Sequence, residues 1–468
     1  MNIIHISAEC YPVAKVGGLA DVVGALPKYQ SNTKNKAQVI MPFYDNKFTK
    51  QHKFTSIYNS ELKLGENSYS FKVLVLEDNV LDFDIFFIDI PRLLFKDYVY
   101  SFNDTERFLA FQVATLDWLL TWDKYPDIIH CHDHHTGLIP FMLQESFKYE
   151  TFRKIPNVLT IHNAQYQGWF SHDDVKLIPD FNFNHVGLLD WDGQINPLAA
   201  AIKCAWSVTT VSPSYMEELK FKANGLEHLL SAESAKCTGI LNGIDWKVWN
   251  TETDTYIKKQ YAINTIASGK KANKQYLCDT FNLDIDKPLF AFIGRLVGEK
   301  GSDLFPETFK NSLDKGDANI LLLGSGNTIV EEELKKLKEP YAGIYNAFIG
   351  YDETLSHIIY AGADFLLMPS RVEPCGLNQM YSLRYGTIPI VRSIGGLKDT
   401  VIDIAKPDGF GICHENTEVS EINTAIDRAV KLYENKTKFN KIRKQIMGIN
   451  HSWNASAKAY IKLYESIN

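Results

Sequence analysis

Short apolar runs of strand length recur along the chain, separated by longer stretches in which apolar residues return at helical spacing. A first series comprises the opening Met1–Ser7, then Gln38–Met41, Ile85–Ile88, Asp127–His130, Val158–Ile161 and Val208–Val211. A second comprises Pro288–Ile293, Asn319–Leu323, Ala347–Ile349, Phe365–Met368 and Ile388–Val391. Runs that stay apolar, rather than alternating with polar residues, belong to strands covered on both faces, and intervening helices make such strands parallel. The pattern predicts an α/β protein built from two Rossmann-like, doubly wound domains. The seam falls near Asn242–Asp245, before a polar stretch over 250–273 with few apolar anchors, which divides the chain into domains 1–245 and 246–451. From 452 to the end, Trp453, Ala457, Tyr460, Ile461, Tyr464 and Ile467 form one helical stripe, and that stripe must dock on something. No internal repeat or low-complexity segment interrupts the plan.

Composition narrows the function more than the fold. At 468 residues, 45% hydrophobic and 22% charged, the chain can bury two sizeable cores. A net charge of -7 and the lack of a basic run argue against nucleic acid or a membrane surface as partner. Seven cysteines are scattered without a Cys-x-x-Cys pair, which suits a reducing cytoplasm better than a disulfide framework or a zinc site. The N-terminal segment lacks a basic region, and no apolar run approaches the ~18 residues that span a bilayer.

The chemistry gathers after the strands. Lys15 follows the first strand beside Gly17 and Gly18; Asp133 follows Asp127–His130, and His162 follows Val158–Ile161. Arg295 and Lys300 follow Pro288–Ile293, Gly324-Ser-Gly326 follows Asn319–Leu323, and Glu373 follows Phe365–Met368. In open parallel sheets, ligands bind beyond the carboxyl ends of strands. Glycines at a helix start let backbone approach a ligand, and a lysine there supplies a mobile charge for phosphate. Neither the dinucleotide Gly-x-Gly-x-x-Gly after the first strand nor the Walker Gly-x-x-x-x-Gly-Lys-[Ser/Thr] is present.

In Ser370-Arg-Val-Glu-Pro-Cys-Gly-Leu-Asn-Gln-Met380 a carboxylate precedes a helix that opens near Gly376, so an acid and bare amides meet at a strand end. Taken alone, Glu373 also reads as a helix cap or as a partner of Arg371. Asp82-Phe-Asp84 and Asp284-Ile-Asp286 precede strands, at the wrong sheet edge for a metal-binding Asp-x-Asp. Asp133 lies among His130, His132, His134 and His135, a set that suggests a metal, although neighbouring residues on a turn diverge.

Six segments in order resemble the bacterial glycogen synthases and plant starch synthases: Lys15-Val-Gly-Gly-Leu-Ala-Asp21, His130-Cys-His-Asp-His-His-Thr-Gly-Leu138, Thr160-Ile-His-Asn163, Ile240-Leu-Asn-Gly-Ile-Asp245, Gly294-Arg-Leu-Val-Gly-Glu-Lys-Gly301 and Pro369-Ser-Arg-Val-Glu-Pro-Cys-Gly-Leu377. The resemblance covers essentially the whole chain. It implies two Rossmann-like domains facing a central cleft, the GT-B arrangement, with a C-terminal helix crossing back to the N-terminal domain. The implied activity is retaining, metal-independent transfer of glucose from ADP-glucose or UDP-glucose to the non-reducing end of an α-1,4-glucan such as glycogen, with no cofactor. Because the candidate charged groups are split between the two predicted domains, catalysis is expected to require domain closure.

By the same resemblance His162, Glu373, Lys300 and Arg295 carry catalysis. Lys15, Gly17, Gly18, Asp21, Asp133, Asn242, Tyr351, Cys375, Gly376, Leu377 and Asn378 bind substrate, with Tyr351 against the base. Preorganised cations and amides would meet the charge on a departing diphosphate in place of a metal. His134, Asn378 and the short tract 186–193 depart from the family pattern, in places that bear on acceptor contacts and donor preference. A catalytically inactive glucan-binding scaffold, or a same-fold glycosyltransferase with another acceptor, are the competing readings. Oligomeric state leaves no trace in the sequence.

Overall fold

A computed structural model describes residues 1–31 and 34–468. The chain forms two compact units, one of Met1–Gly243 with Trp453–Asn468 and one of Ile244–Ser452.

The first unit is built on a nine-stranded sheet. Its strands run in the order Cys237–Gly239, Ser207–Thr210, Asn157–Ile161, Ile128–His132, Asn2–Ile6, Lys36–Pro42, Asp84–Asp89, Asn67–Leu76 and Phe54–Leu64. The first seven are parallel, as expected of apolar runs. The last two correct the all-parallel expectation. Phe54–Leu64 and Asn67–Leu76 form an antiparallel hairpin turning at Gly65 (φ +58°), added antiparallel to Asp84–Asp89. One face of this hairpin meets solvent, so its residues alternate in burial and never make a continuous apolar run.

The terminal helix, Trp453–Ile467, belongs to this unit. Trp453, Ala457, Tyr460 and Tyr464 are buried against Ile3, Val22, Leu26, Ile128, Val158 and Ile240, so the stripe docks on the N-terminal sheet and its first helix.

The second unit carries an all-parallel six-stranded sheet in the order Tyr345–Ile349, Asn319–Gly324, Leu289–Ile293, Phe365–Met368, Ile388–Arg392 and Ile412–His414. At the base of its central strands Asp364 is buried between Lys274 (2.8 Å) and Arg443 (2.5 Å) and accepts the Leu289 amide at 2.9 Å. Both oxygens of Asp364 are thus engaged, which is what a buried carboxylate requires.

In each sheet, sequence order reverses beside the first strand of that unit. The reversal falls between Asn2–Ile6 and Ile128–His132 in one and between Leu289–Ile293 and Phe365–Met368 in the other. Loops leaving neighbouring strands diverge at such switch points and open a crevice.

Candidate active site

In the first unit the switch point is furnished by the loop before helix Gly18–Gln30 and the turn after Ile128–His132. Lys15 Nζ pairs at 2.7 Å with Oδ1 of Asp21, at the end of that helix's first turn. Glu9, which belongs to no sequence motif, organises the loop. Its Oε2 accepts the amides of Val16 (2.5 Å) and Gly17 (2.9 Å), and its Oε1 accepts the Tyr100 hydroxyl. This corrects part of the expectation for Gly17: its amide holds the protein's own carboxylate. A Cβ at Gly17 or Gly18 would meet nothing within 4 Å, so the space outside the loop is open to a ligand.

Asp133 sits at φ +56°, a left-handed conformation uncommon outside glycine, which turns its carboxylate back onto the next strand end. Its Oδ1 accepts the His162 amide at 2.7 Å. Burial pushes the Asp133 carboxyl up to about 7, opposed by the His162 and Asn163 amides and reinforced by the charge of Glu9. Glu9 is raised too, first by burial, against the Tyr100 hydroxyl and the Val16 and Gly17 amides, with the charge of Asp21 adding to the rise. Lys15, Asp21, Glu9, Asp133 and His162 therefore share one electrostatic neighbourhood. Burial lowers His162 to about 3, so it is neutral at ordinary pH. Asn242, beyond the edge strand Cys237–Gly239, is buried, and its Oδ1 has no hydrogen-bond partner among the described residues.

The histidines do not make the suggested metal set around Asp133. His5, His130 and His132 do place nitrogens within 4.8 Å of one another. Every nitrogen of these three rings is, however, already in a hydrogen bond to a side chain, which leaves no lone pair for an ion. His134 packs instead against Gly168, where a Cβ would lie 2.4 Å from its ring.

In the second unit, Lys300 Nζ lies 2.7 and 2.6 Å from the two oxygens of Glu373, and the Ser370 hydroxyl donates to Oε2 at 2.8 Å. Arg371 is engaged elsewhere, in a two-pronged pair with Asp303 at 2.5 and 2.8 Å, so the open question of Glu373's partner resolves to Lys300. Gly301, at φ +72°, lets the Lys300 loop close on the strand end, since a Cβ there would lie 2.7 Å from the Pro369 carbonyl. Gly376 is also left-handed (φ +73°), and the helix proper runs Asn378–Arg384 rather than opening at Gly376. Asn378 Nδ2 donates to the Ile293 carbonyl at 2.8 Å, tying this helix start to the end of the neighbouring strand.

The Cys375 carbonyl packs on Gly396, where a Cβ would come within 2.1 Å. Arg295 is 60% exposed and, among the described residues, pairs with Glu299 at 3.8 Å. Tyr351 is 80% exposed beyond the edge strand Tyr345–Ile349, and its hydroxyl reaches Glu353 at 3.5 Å.

Residues 2–232 match the family model described as the starch synthase catalytic domain, and residues 279–446 match glycosyl transferases group 1. A glycogen synthase of Flavobacterium johnsoniae is 52% identical over 100% of this chain and 99% of its own length. One from Thermodesulfovibrio yellowstonii is 36% identical over 100% and 98%. The catalytic domain of starch synthase IV from Arabidopsis thaliana, solved with ADP and acarbose, superposes with a TM-score of 0.90 at 32% identity, covering 100% of this chain and 99% of that one. A sucrose-phosphate synthase from Thermosynechococcus elongatus shares the fold at a TM-score of 0.63 and 16% identity, covering 100% and 98%.

Proposed function

The chain belongs to the glycogen and starch synthase family of GT-B glycosyltransferases, and we propose that it transfers glucose from ADP-glucose, or UDP-glucose, to the non-reducing end of an α-1,4-glucan in the cytoplasm. The observation that carries the residue assignment is the buried Glu373 carboxylate gripped by Lys300 and Ser370 at a sheet switch point. A carboxylate so placed binds paired sugar hydroxyls, and a cation beside it meets charge on phosphate.

In this reading Arg295 and Lys300, with the first-turn amides at Leu377 and Asn378, stabilise the departing diphosphate, and Lys15 adds a further cation without need of a metal. Asp133, His162, Asn242 and Asp21 bind glucose and acceptor hydroxyls, Tyr351 stacks on the base, and Cys375 and Gly376 wall the sugar. The bond from the anomeric carbon to the diphosphate breaks, and the bond to the acceptor oxygen forms on the same face. The acceptor proton passes to the leaving phosphate oxygen, while the His162 carbonyl faces the positive charge developing on the sugar.

Incorporation of labelled glucose into glycogen, measured side by side with ADP-glucose and UDP-glucose, tests the reading. Transfer that collapses in folded Glu373→Gln supports it. Glucan binding without transfer from either donor would make the chain a scaffold, and transfer only to another acceptor would change the substrate assignment.

A further inference from the structure

Behind His162 runs a buried hydrogen-bonded line of side chains that the transfer chemistry does not use. His162 Nε2 meets His132 Nδ1 at 3.0 Å, His132 Nε2 meets His5 Nδ1 at 3.0 Å, and His5 Nε2 meets Gln30 Oε1 at 2.7 Å. Gln30 Nε2 donates to the Tyr464 hydroxyl at 3.1 Å, which meets His130 Nδ1 at 2.7 Å. His130 Nε2 then meets Thr160 Oγ1 at 2.6 Å, Thr160 meets Thr209 Oγ1 at 2.6 Å, and Thr209 donates to the Leu159 carbonyl at 3.3 Å. Tyr464 lies on the C-terminal helix.

Burial lowers His5 to about 4 and His162 to about 3, and holds His130 and His132 well below the ordinary imidazole range, so each ring is neutral. A neutral imidazole has one donor and one acceptor nitrogen. That constraint propagates. The Gln30 oxygen can only accept, so His5 carries its proton on Nε2 and accepts at Nδ1. His132 must therefore donate from Nε2 and accept at Nδ1, and His162 must donate from Nε2. On the other arm, the Gln30 amide nitrogen donates to Tyr464, whose hydroxyl proton goes to His130 Nδ1. His130 donates from Nε2 to Thr160, Thr160 donates to Thr209, and Thr209 donates to the Leu159 carbonyl. Each link of the line then has one donor and one acceptor. Reversing the line requires the Gln30 amide to turn over and all four rings to change tautomer together, and it takes the Thr209 proton from the Leu159 carbonyl.

We propose that this one-directional relay, anchored by Tyr464 of the C-terminal helix and by Gln30, holds His162 as the Nε2–H tautomer, so that its Nδ1 can only accept a hydrogen bond and selects a hydroxyl donor on the ligand. Gln30, His5, His132 and Tyr464 are thus positioning residues, acting on substrate through His162. That the hydroxyl is a sugar's rests on the glucosyl transfer proposed above; the tautomer is a property of the chain alone.

The test is ring-nitrogen NMR of the full-length protein labelled with 15N-histidine, with His162 assigned by its loss in His162→Gln. The expected spectrum has His162 Nε2 protonated and Nδ1 unprotonated in the wild-type protein, and a protonated Nδ1 there overturns the proposal whatever the activity. Tyr464→Phe, which keeps the ring and deletes the hydroxyl, and Gln30→Met are expected to give mixed His162 tautomers. They should also lower kcat about 3- to 10-fold, the effect of one neutral hydrogen bond, with KM for the nucleotide sugar little changed. Folded variants that lose activity while His162 keeps its wild-type spectrum would show a purely structural role and overturn it. Nε2–H protein that transfers no glucose would support the relay and refute the transferase reading.

Discussion

Removing Lys300 should reveal the opposed demands placed on Glu373. The carboxylate is 7% exposed and draws three hydrogen bonds, two from Lys300 and one from Ser370. Breaking a buried pair by deleting one partner costs about 3–5 kcal/mol. Because the Lys300 side chain is itself 25% exposed, water replaces part of its contribution and about 2–3 kcal/mol is the expected loss for Lys300→Ala. For a unit of this size each kcal/mol moves the midpoint by about 2–4 °C, so Tm should fall by about 4–12 °C. In Lys300→Ala/Glu373→Gln the uncompensated charge is gone and the Ser370 contact survives, so at least half of that loss should return. Activity should not return with it. Losing one preorganised charge partner typically costs ~100-fold or more, and both single variants and the double variant should fall by that order in labelled-glucose transfer. Calorimetry on all four proteins, with rates measured on the folded ones, separates the two effects. A Lys300→Ala protein as stable as wild type, or a double variant that regains the rate, would refute the reasoning.

Activity should persist in excess chelator; loss reversed by added magnesium or manganese would refute the assignment of diphosphate charge to side chains. Asp133, raised from an ordinary 3.8 to about 7, holds a proton in the native state that the unfolded chain releases. Its contribution to stability is therefore lost as pH rises from ~4 through ~7. Asp133→Asn, whose side-chain oxygen still accepts the His162 amide, should thus unfold at higher temperature than wild type at pH 8, and the advantage should shrink at pH 4, as followed by thermal denaturation. Glu9→Gln weakens two amide contacts to a charged acceptor, each worth about 1.5–3 kcal/mol, and should lower kcat/KM about 10-fold or more; an unchanged value would remove Glu9 from the site. Gly396→Ala drives a Cβ to 2.1 Å from the Cys375 carbonyl and should yield little soluble protein, read by expression and gel filtration.

The parallel strands were legible because burial on both faces leaves an unbroken apolar run, and the strand-end positions of Lys15, Asp133, His162, Lys300 and Glu373 were legible because each follows such a run. The hairpin Phe54–Leu76 was not, since half of its residues face water. Glu9 was hidden because its role depends on a loop folding back seven and eight residues later onto it, which no local spacing encodes. The relay left a fainter mark: His130 and His132 stand two apart in an otherwise apolar strand, and His5 occupies another, as buried polar residues on one sheet face do. Its register, Ile4 to Ile129 and His5 to His130, came only with the sheet.

The docking of Trp453–Ile467 onto the N-terminal sheet also sets an order of events during synthesis. The ribosome completes residues 1–243 first, yet the surface that Trp453, Tyr460 and Tyr464 cover stays bare until Ile244–Ser452 has been made. At about 5–20 residues per second that interval is on the order of ten seconds or more. The nascent N-terminal unit must therefore wait with Ile3, Val22 and Leu26 uncovered while its neighbour is translated, and a helix made after the second unit is the one that seals a core begun before it.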